Sequence, residues 1–102
     1  MSVEFEWDFE KARLNLVKHG IDFETAANVF SDPFALAEPD LTSRNEERWR
    51  TIGLVRGVLL LLVSHTVRDE GDIELIRIIS ARRTDPSERL RYERARREGS
   101  GV

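Results

Sequence analysis

The sequence predicts an α+β fold, in which helices pack against an antiparallel sheet in the order β-α-α-β-β-β-α. Three observations predict it. Two capped, helix-like segments lie between residues 8 and 33, and a run of strands joined by short turns follows between residues 49 and 81. A second capped start, Asp85-Pro86-Ser87-Glu88, then opens a terminal helix. Helices that come first and a meander that comes later place the helices on one side of an antiparallel sheet.

The elements follow in order. Val3, Glu4, Phe5, Glu6 and Trp7 alternate with a period of two, which suits a short edge strand with one buried face. Asp8 can accept hydrogen bonds from free backbone N–H groups and start a helix that runs to about Lys18, and Gly20 supplies its left-handed stop. Asp22 caps a second helix, with Phe23, Ala26, Ala27 and Phe30 at helical spacing and Asp32-Pro33 as its end. Residues 35–47 show no clean period and contain Pro39, Thr42, Ser43 and Asn45, so they read as a loop. Trp49 to Leu54 reads as a strand, Arg56-Gly57 as a turn, and Val58 to Thr66 as a strand apolar on both faces and therefore central. Arg68 to Asp72 has turn composition, Ile73 to Ala81 forms the third strand of the meander, and residues 86–98 form the last helix.

A length of 102 residues suits one domain, here residues 1–98 followed by the tail 99–102, which reads as disordered. The absence of cysteine excludes disulfides, thiolate zinc sites and cysteine nucleophiles. The longest apolar run, Val58 to Val63, is far below the roughly 20 residues that span a bilayer, so no membrane partner is expected and a cytoplasmic location is. A net charge of −3 conceals an asymmetry. Residues 1–51 hold 6 basic and 11 acidic side chains, whereas residues 52–102 hold 10 and 8. Eight arginines against three acids between Ile76 and Arg97 give a local +5, and arginine supplies 14 of the 16 cations. Its planar fork suits phosphate, although the last helix also reads as a solvated face laced with ion pairs.

No glycine-rich phosphate loop, serine elbow or histidine pair at metal-ligand spacing is present, so no cofactor and no metal are expected. The remaining His, Glu and Arg residues suit metal-independent RNA cleavage, which needs a base for the ribose 2′-OH, a cation for the phosphorane and an acid for the leaving oxygen. His19 is a candidate acid or base, or else a helix-end cap; Glu47 is a candidate base, or else an exposed partner of Arg48 or Arg50. Trp49 is placed to stack on a base or to fill the core, and His65, on the face of Leu59, Leu61 and Val63, reads as structural. Arg77 alternates with Ile73, Leu75, Ile79 and Ala81, and a charge on so apolar a face needs a carboxylate or a phosphate. Arg82 and Arg83 leave the strand just before a capped helix, where a rigid sheet presents functional groups.

The blocks Phe5-Glu6-Trp7-Asp8, Lys11, Asn15, Lys18-His19-Gly20, Phe23 and Phe30-Ser31-Asp32-Pro33 resemble the opening of the BrnT toxin family. Glu47-Arg48-Trp49 through Gly53, His65-Thr66, Arg77-Ile78-Ile79-Ser80-Ala81-Arg82-Arg83, Glu88-Arg89 and Tyr92-Glu93 continue the likeness, which spans residues 3 to 93. After Arg83 the family usually continues with a small residue, where this chain has Thr84-Asp85-Pro86. The resemblance implies a RelE-like fold and a type II ribonuclease toxin that stops translation. It also implies neutralisation by a BrnA-like ribbon-helix-helix antitoxin, in a complex that represses its operon and contacts operator DNA chiefly through the antitoxin. Lys18, His19, Glu47, Arg77, Arg82 and Arg83 fall on matching blocks. The expected site therefore has His19, Glu47 and Arg82 in catalysis, with Lys18, Trp49, Arg50, Arg77 and Arg83 on RNA. RelE-like folds also host gyrase inhibitors, so a non-catalytic binding module, or a degenerate toxin kept as a repressor subunit, is the rival expectation.

Overall fold

The computed structural model describes residues 2–44 and 47–100. Its element order is β1 (Ser2–Trp7), α1 (Phe9–His19), α2 (Phe23–Ala27) with a 3₁₀ turn at Asn28–Ser31, β2 (Leu36–Pro39), β3 (Trp49–Val55), β4 (Leu59–Glu70), β5 (Ile73–Arg83) and α3 (Pro86–Ser100). The five strands form one sheet in the order β1-β5-β4-β3-β2.

The local signals act as expected. Asp8 accepts from the Lys11 backbone N–H at 3.0 Å, Asp22 accepts from that of Thr25, and Gly20 stops α1 at φ 72°. Arg56 and Gly57 both have positive φ, 54° and 72°, as a tight hairpin turn between β3 and β4 requires. The edge position of β1 also matches the expectation.

Four expectations are corrected. Residues 36–39, read as loop, form β2, which pairs antiparallel with β3 from Leu36↔Ile52 to Pro39↔Trp49. The sheet is mixed rather than antiparallel, because β1 pairs with β5 in parallel; the chain crosses back through α1, α2 and the hairpins before β5 forms beside β1. Residues 68–70, read as turn, extend β4, and the reversal narrows to Gly71-Asp72. Helix α3 runs to Ser100, so Gly99 and Ser100 of the expected tail are helical, while Gly101 and Val102 lie outside the described residues.

A fifth correction concerns the layers. The helices cover both faces of the sheet. On one face, Phe23, Ala26 and Val29 from α2 and the 3₁₀ turn pack with Leu61, Val63, Ile76 and Ile78, and Trp7 and Ala12 pack at the margin. On the other face, Tyr92 of α3 packs with Ile52, Leu60 and Leu62. Alternate residues of β4 thus feed two cores, which is why its leucines are apolar in both registers. Where β1 ends, Asn15 of α1 takes over as partner of β5: its amide donates to the carbonyls of Ala81 and Ile21, and its oxygen accepts from the Ala81 N–H at 3.0 Å.

Gly53 lies beneath the 3₁₀ turn, where a Cβ would come within 2.8 Å of the Val29 carbonyl oxygen and 2.7 Å of its Cγ1. Gly53→Ala is expected to lower stability by about 1–3 kcal/mol, read from urea denaturation, because backbone has to move. His65 is buried in the first core. Its Nε2 meets the Thr51 hydroxyl at 2.7 Å, and the Phe30 ring stands edge-on at 4.8 Å. Burial pushes its pKa down to about 4 from an ordinary 6.5. The unfolded chain therefore binds a proton that the native chain refuses between those values, so His65 favours folding above pH 6.5 and that advantage is lost as the pH falls toward 4. Thermal melts from pH 7 to 4 are expected to show this loss in the wild type and a shallower one in His65→Gln.

Candidate functional site

Helix α3 covers only part of its face of the sheet. Beyond its N-terminus, β5, β4 and the end of β1 continue uncovered, and strand alternation aims Glu6, Arg77, Thr66 and Arg68 out of that open surface. These side chains and Leu75, together with Glu47 from the segment before β3, line a cleft of about 270 Å³. Arg77 donates to Glu6 at 3.3 Å, and Arg68 bridges Glu70 at 3.0 Å. Arg77 is thus exposed beside a carboxylate, rather than a charge set in an apolar face.

A β-bulge explains the difference. Ser64 opposes Ser80 but His65 opposes Ile78, so Ile79 is an extra residue in β5. The alternation that would unite Arg77 with Ala81 breaks there. Ala81 turns into the core beneath α1, and Arg82 arrives on the same face as Arg77.

The inner end of this face is organised by Glu88, whose side chain is only 3% exposed. Arg82 grips it with two hydrogen bonds of 2.8 and 2.9 Å, and Arg50 from β3 adds a third at 2.8 Å. Glu88 also accepts from the Asp85 N–H, while Asp85 accepts from the Glu88 N–H, which closes a reciprocal cap on α3. The Arg82 guanidinium holds the Glu88 carboxyl below the usual carboxylate range, and the same pair raises Arg82. Two strands and one helix are therefore locked around one carboxylate. Arg91 binds Glu38 of β2 at 3.0 and 3.1 Å and extends the lock to the sheet edge.

Of the expected site residues, Arg50, Arg77 and Arg82 share this face, and Glu47 borders the same cleft as Arg77. Lys18 and His19 end α1, which packs on the opposite face; Lys18 is exposed and His19 half-buried. Trp49 precedes Arg50 and so points away from it, half-buried beside His65 and Phe30. Arg83 is exposed and alternates to the α1 side, opposite Leu61. The residues that sequence reasoning missed are Arg68, hidden by its assignment to a turn, Glu6, and Glu88, which registered only as a cap. Among the described residues, no three His, Asp or Glu side chains converge as metal ligands, and no helix is long and apolar enough to cross a membrane.

An open sheet face that presents arginines beside carboxylates defines a class, a small α+β protein with a charged cleft on a five-stranded mixed sheet. Residues 7–88 match the family model of the ribonuclease toxin BrnT of type II toxin–antitoxin systems, and the chain belongs to that family. Its fold is similar to the 1.1 Å crystal structure of the Brucella abortus ribonuclease toxin BrnT, with 25% identity, a TM-score of 0.54, and coverage of 83% of this chain and 97% of that one. No curated protein matches the chain.

Glu88→Gln keeps an amide oxygen for the Asp85 N–H but removes the charge shared by two guanidinium groups. It is expected to destabilise the chain less than Glu88→Ala, whose cost should reach about 2–3 kcal/mol with both arginines a third exposed. Thermal unfolding of the two variants checks the order.

Proposed function

We propose that this toxin is a metal-independent endoribonuclease that stops translation, with its reaction centre in the cleft shared by Glu47 and Arg77. The observation that carries this reading is that a carboxylate and arginines meet in one accessible cleft on the open face. Glu47 takes the proton from a ribose 2′-oxygen, that oxygen attacks the adjoining phosphorus, and the bond to the 5′-oxygen breaks. The leaving 5′-oxygen takes up a proton from water, to which Glu47 gives up the one it accepted, and a 2′,3′-cyclic phosphate remains. Arg77 balances the charge that grows on the phosphorane, and Arg68 adds a second cation beside it. Arg82 and Arg50, already oriented by Glu88, hold the flanking phosphates. His19 has no part in this centre, because α1 carries it on the other face of the sheet.

In the same reading the fold is RelE-like, the chain acts in the cytoplasm where its substrate is, and its antitoxin is a BrnA-like ribbon-helix-helix protein that contacts operator DNA.

Purified toxin incubated with RNA in EDTA is expected to leave 2′,3′-cyclic phosphate ends, read by end mapping. Arg77→Ala should lower the single-turnover rate by about 10²–10³-fold, and Glu47→Gln by about 10²–10⁴-fold. Products with 3′-hydroxyl ends, or full activity in both variants, exclude the mechanism. Topoisomerase arrest with intact RNA on induction favours the gyrase-inhibitor alternative.

A further inference from the structure

The face that carries α1 and α2 is also incompletely covered. Beyond Phe30, Trp49, Val67 and Ile76 line an apolar groove of about 440 Å³, which adjoins a depression of about 300 Å³ beside Val3 and Phe5. Val3, Phe5 and Val67 remain 50%, 37% and 39% exposed. Contiguous exposed apolar surface of this kind marks a place where another molecule binds.

The groove has a charged end. Asp69 and Glu74 are register partners on this face, one pair beyond Val67 and Ile76. Like charges directly opposite each other weaken a sheet. Among the described residues no cation bridges either of them; Arg68, next in sequence, points to the other face and pairs with Glu70 and Glu6. An apolar trough that ends in two unneutralised carboxylates repels RNA and complements a different ligand, an apolar segment that ends in a cation.

We infer that this groove is the seat of the antitoxin, which lays an apolar segment over Phe5, Val67 and Trp49 and sets a lysine or arginine between Asp69 and Glu74. The inference rests on the toxin–antitoxin reading for the partner's identity and is independent of the proposed RNA chemistry, which uses the opposite face. On this view the unfavourable Asp69–Glu74 pair is kept because the complex neutralises it.

The test titrates the full chain with the antitoxin encoded in its operon by calorimetry, at low and physiological salt. Phe5→Ser/Val67→Ser is expected to weaken binding by about tenfold or more. Asp69→Asn/Glu74→Gln is expected to weaken it similarly, to flatten its salt dependence, and to raise the Tm of the free toxin. Val17→Glu, on the exposed side of α1, should bind like the wild type. Circular dichroism like that of the wild type and cooperative thermal melts show that the groove variants fold. If the wild type binds antitoxin and the groove variants bind as tightly, or Val17→Glu loses as much, the groove is overturned. If the groove variants change only self-association, read by light scattering, the occupant is a second copy and the proposal is overturned. If the wild type itself does not bind antitoxin, the partner reading fails, a result distinct from failure of the surface.

Discussion

The carboxylate of Glu88 is the constraint on which much of this molecule depends. A charge so buried persists only when it is paired and hydrogen-bonded on every side. Here the partners are two guanidinium groups from different strands and the backbone N–H at the start of α3. The carboxylate fixes where the helix begins and where it meets the sheet, and it removes the rotational freedom of Arg82 and Arg50. Long arginine side chains lose considerable entropy when they hold a phosphate. In this fold much of that loss is incurred during folding, so it need not be incurred again when a polyanion binds.

The layered arrangement distributes charge as well as apolar area. Because β4 feeds leucines to both cores, helices stand on both faces, yet none of them reaches the far ends of β4 and β5. Those ends therefore present two exposed surfaces back to back. One gathers Arg68 and Arg77 around Glu6, and the other carries Val67 and Ile76 toward Asp69 and Glu74. A net charge of −3 describes neither surface.

What was legible in the sequence was whatever local chemistry decides. Asp8, Gly20, Asp22 and the Asp85-Pro86-Ser87-Glu88 start act within one helical turn, and each stands where its residue type demands. Pairing over long separations left weaker traces. Strand β2 is four residues long and ends in proline, and its inward Glu38 is polar because Arg91, 53 residues away, pairs with it. The parallel partnership of β1 with β5 joins residues about 71 apart, and no local pattern encodes it. The helix on the second face had a signal that went unused, since a strand apolar on both sides needs cover on both. Within the candidate site, Glu47, Arg50, Arg77 and Arg82 were identifiable by residue type and position. Their common face was not, because it depends on one irregular residue in β5.

That irregular residue, Ile79, makes distance along the chain part of the site. Arg77 and Arg82 are five positions apart, an odd spacing that in a regular strand sends two side chains to opposite sides. The bulge converts odd into even. Straightening the strand at Ile79 with its length kept would leave the composition of the site intact and divide it across the sheet, whereas losing the bulged residue itself would leave an even spacing of four and keep both arginines on one side. Between relatives of this protein, an interval of five residues with the bulge and one of four without it thus present the same surface, so interval length and strand regularity have to be read together before two arginines are taken as one motif.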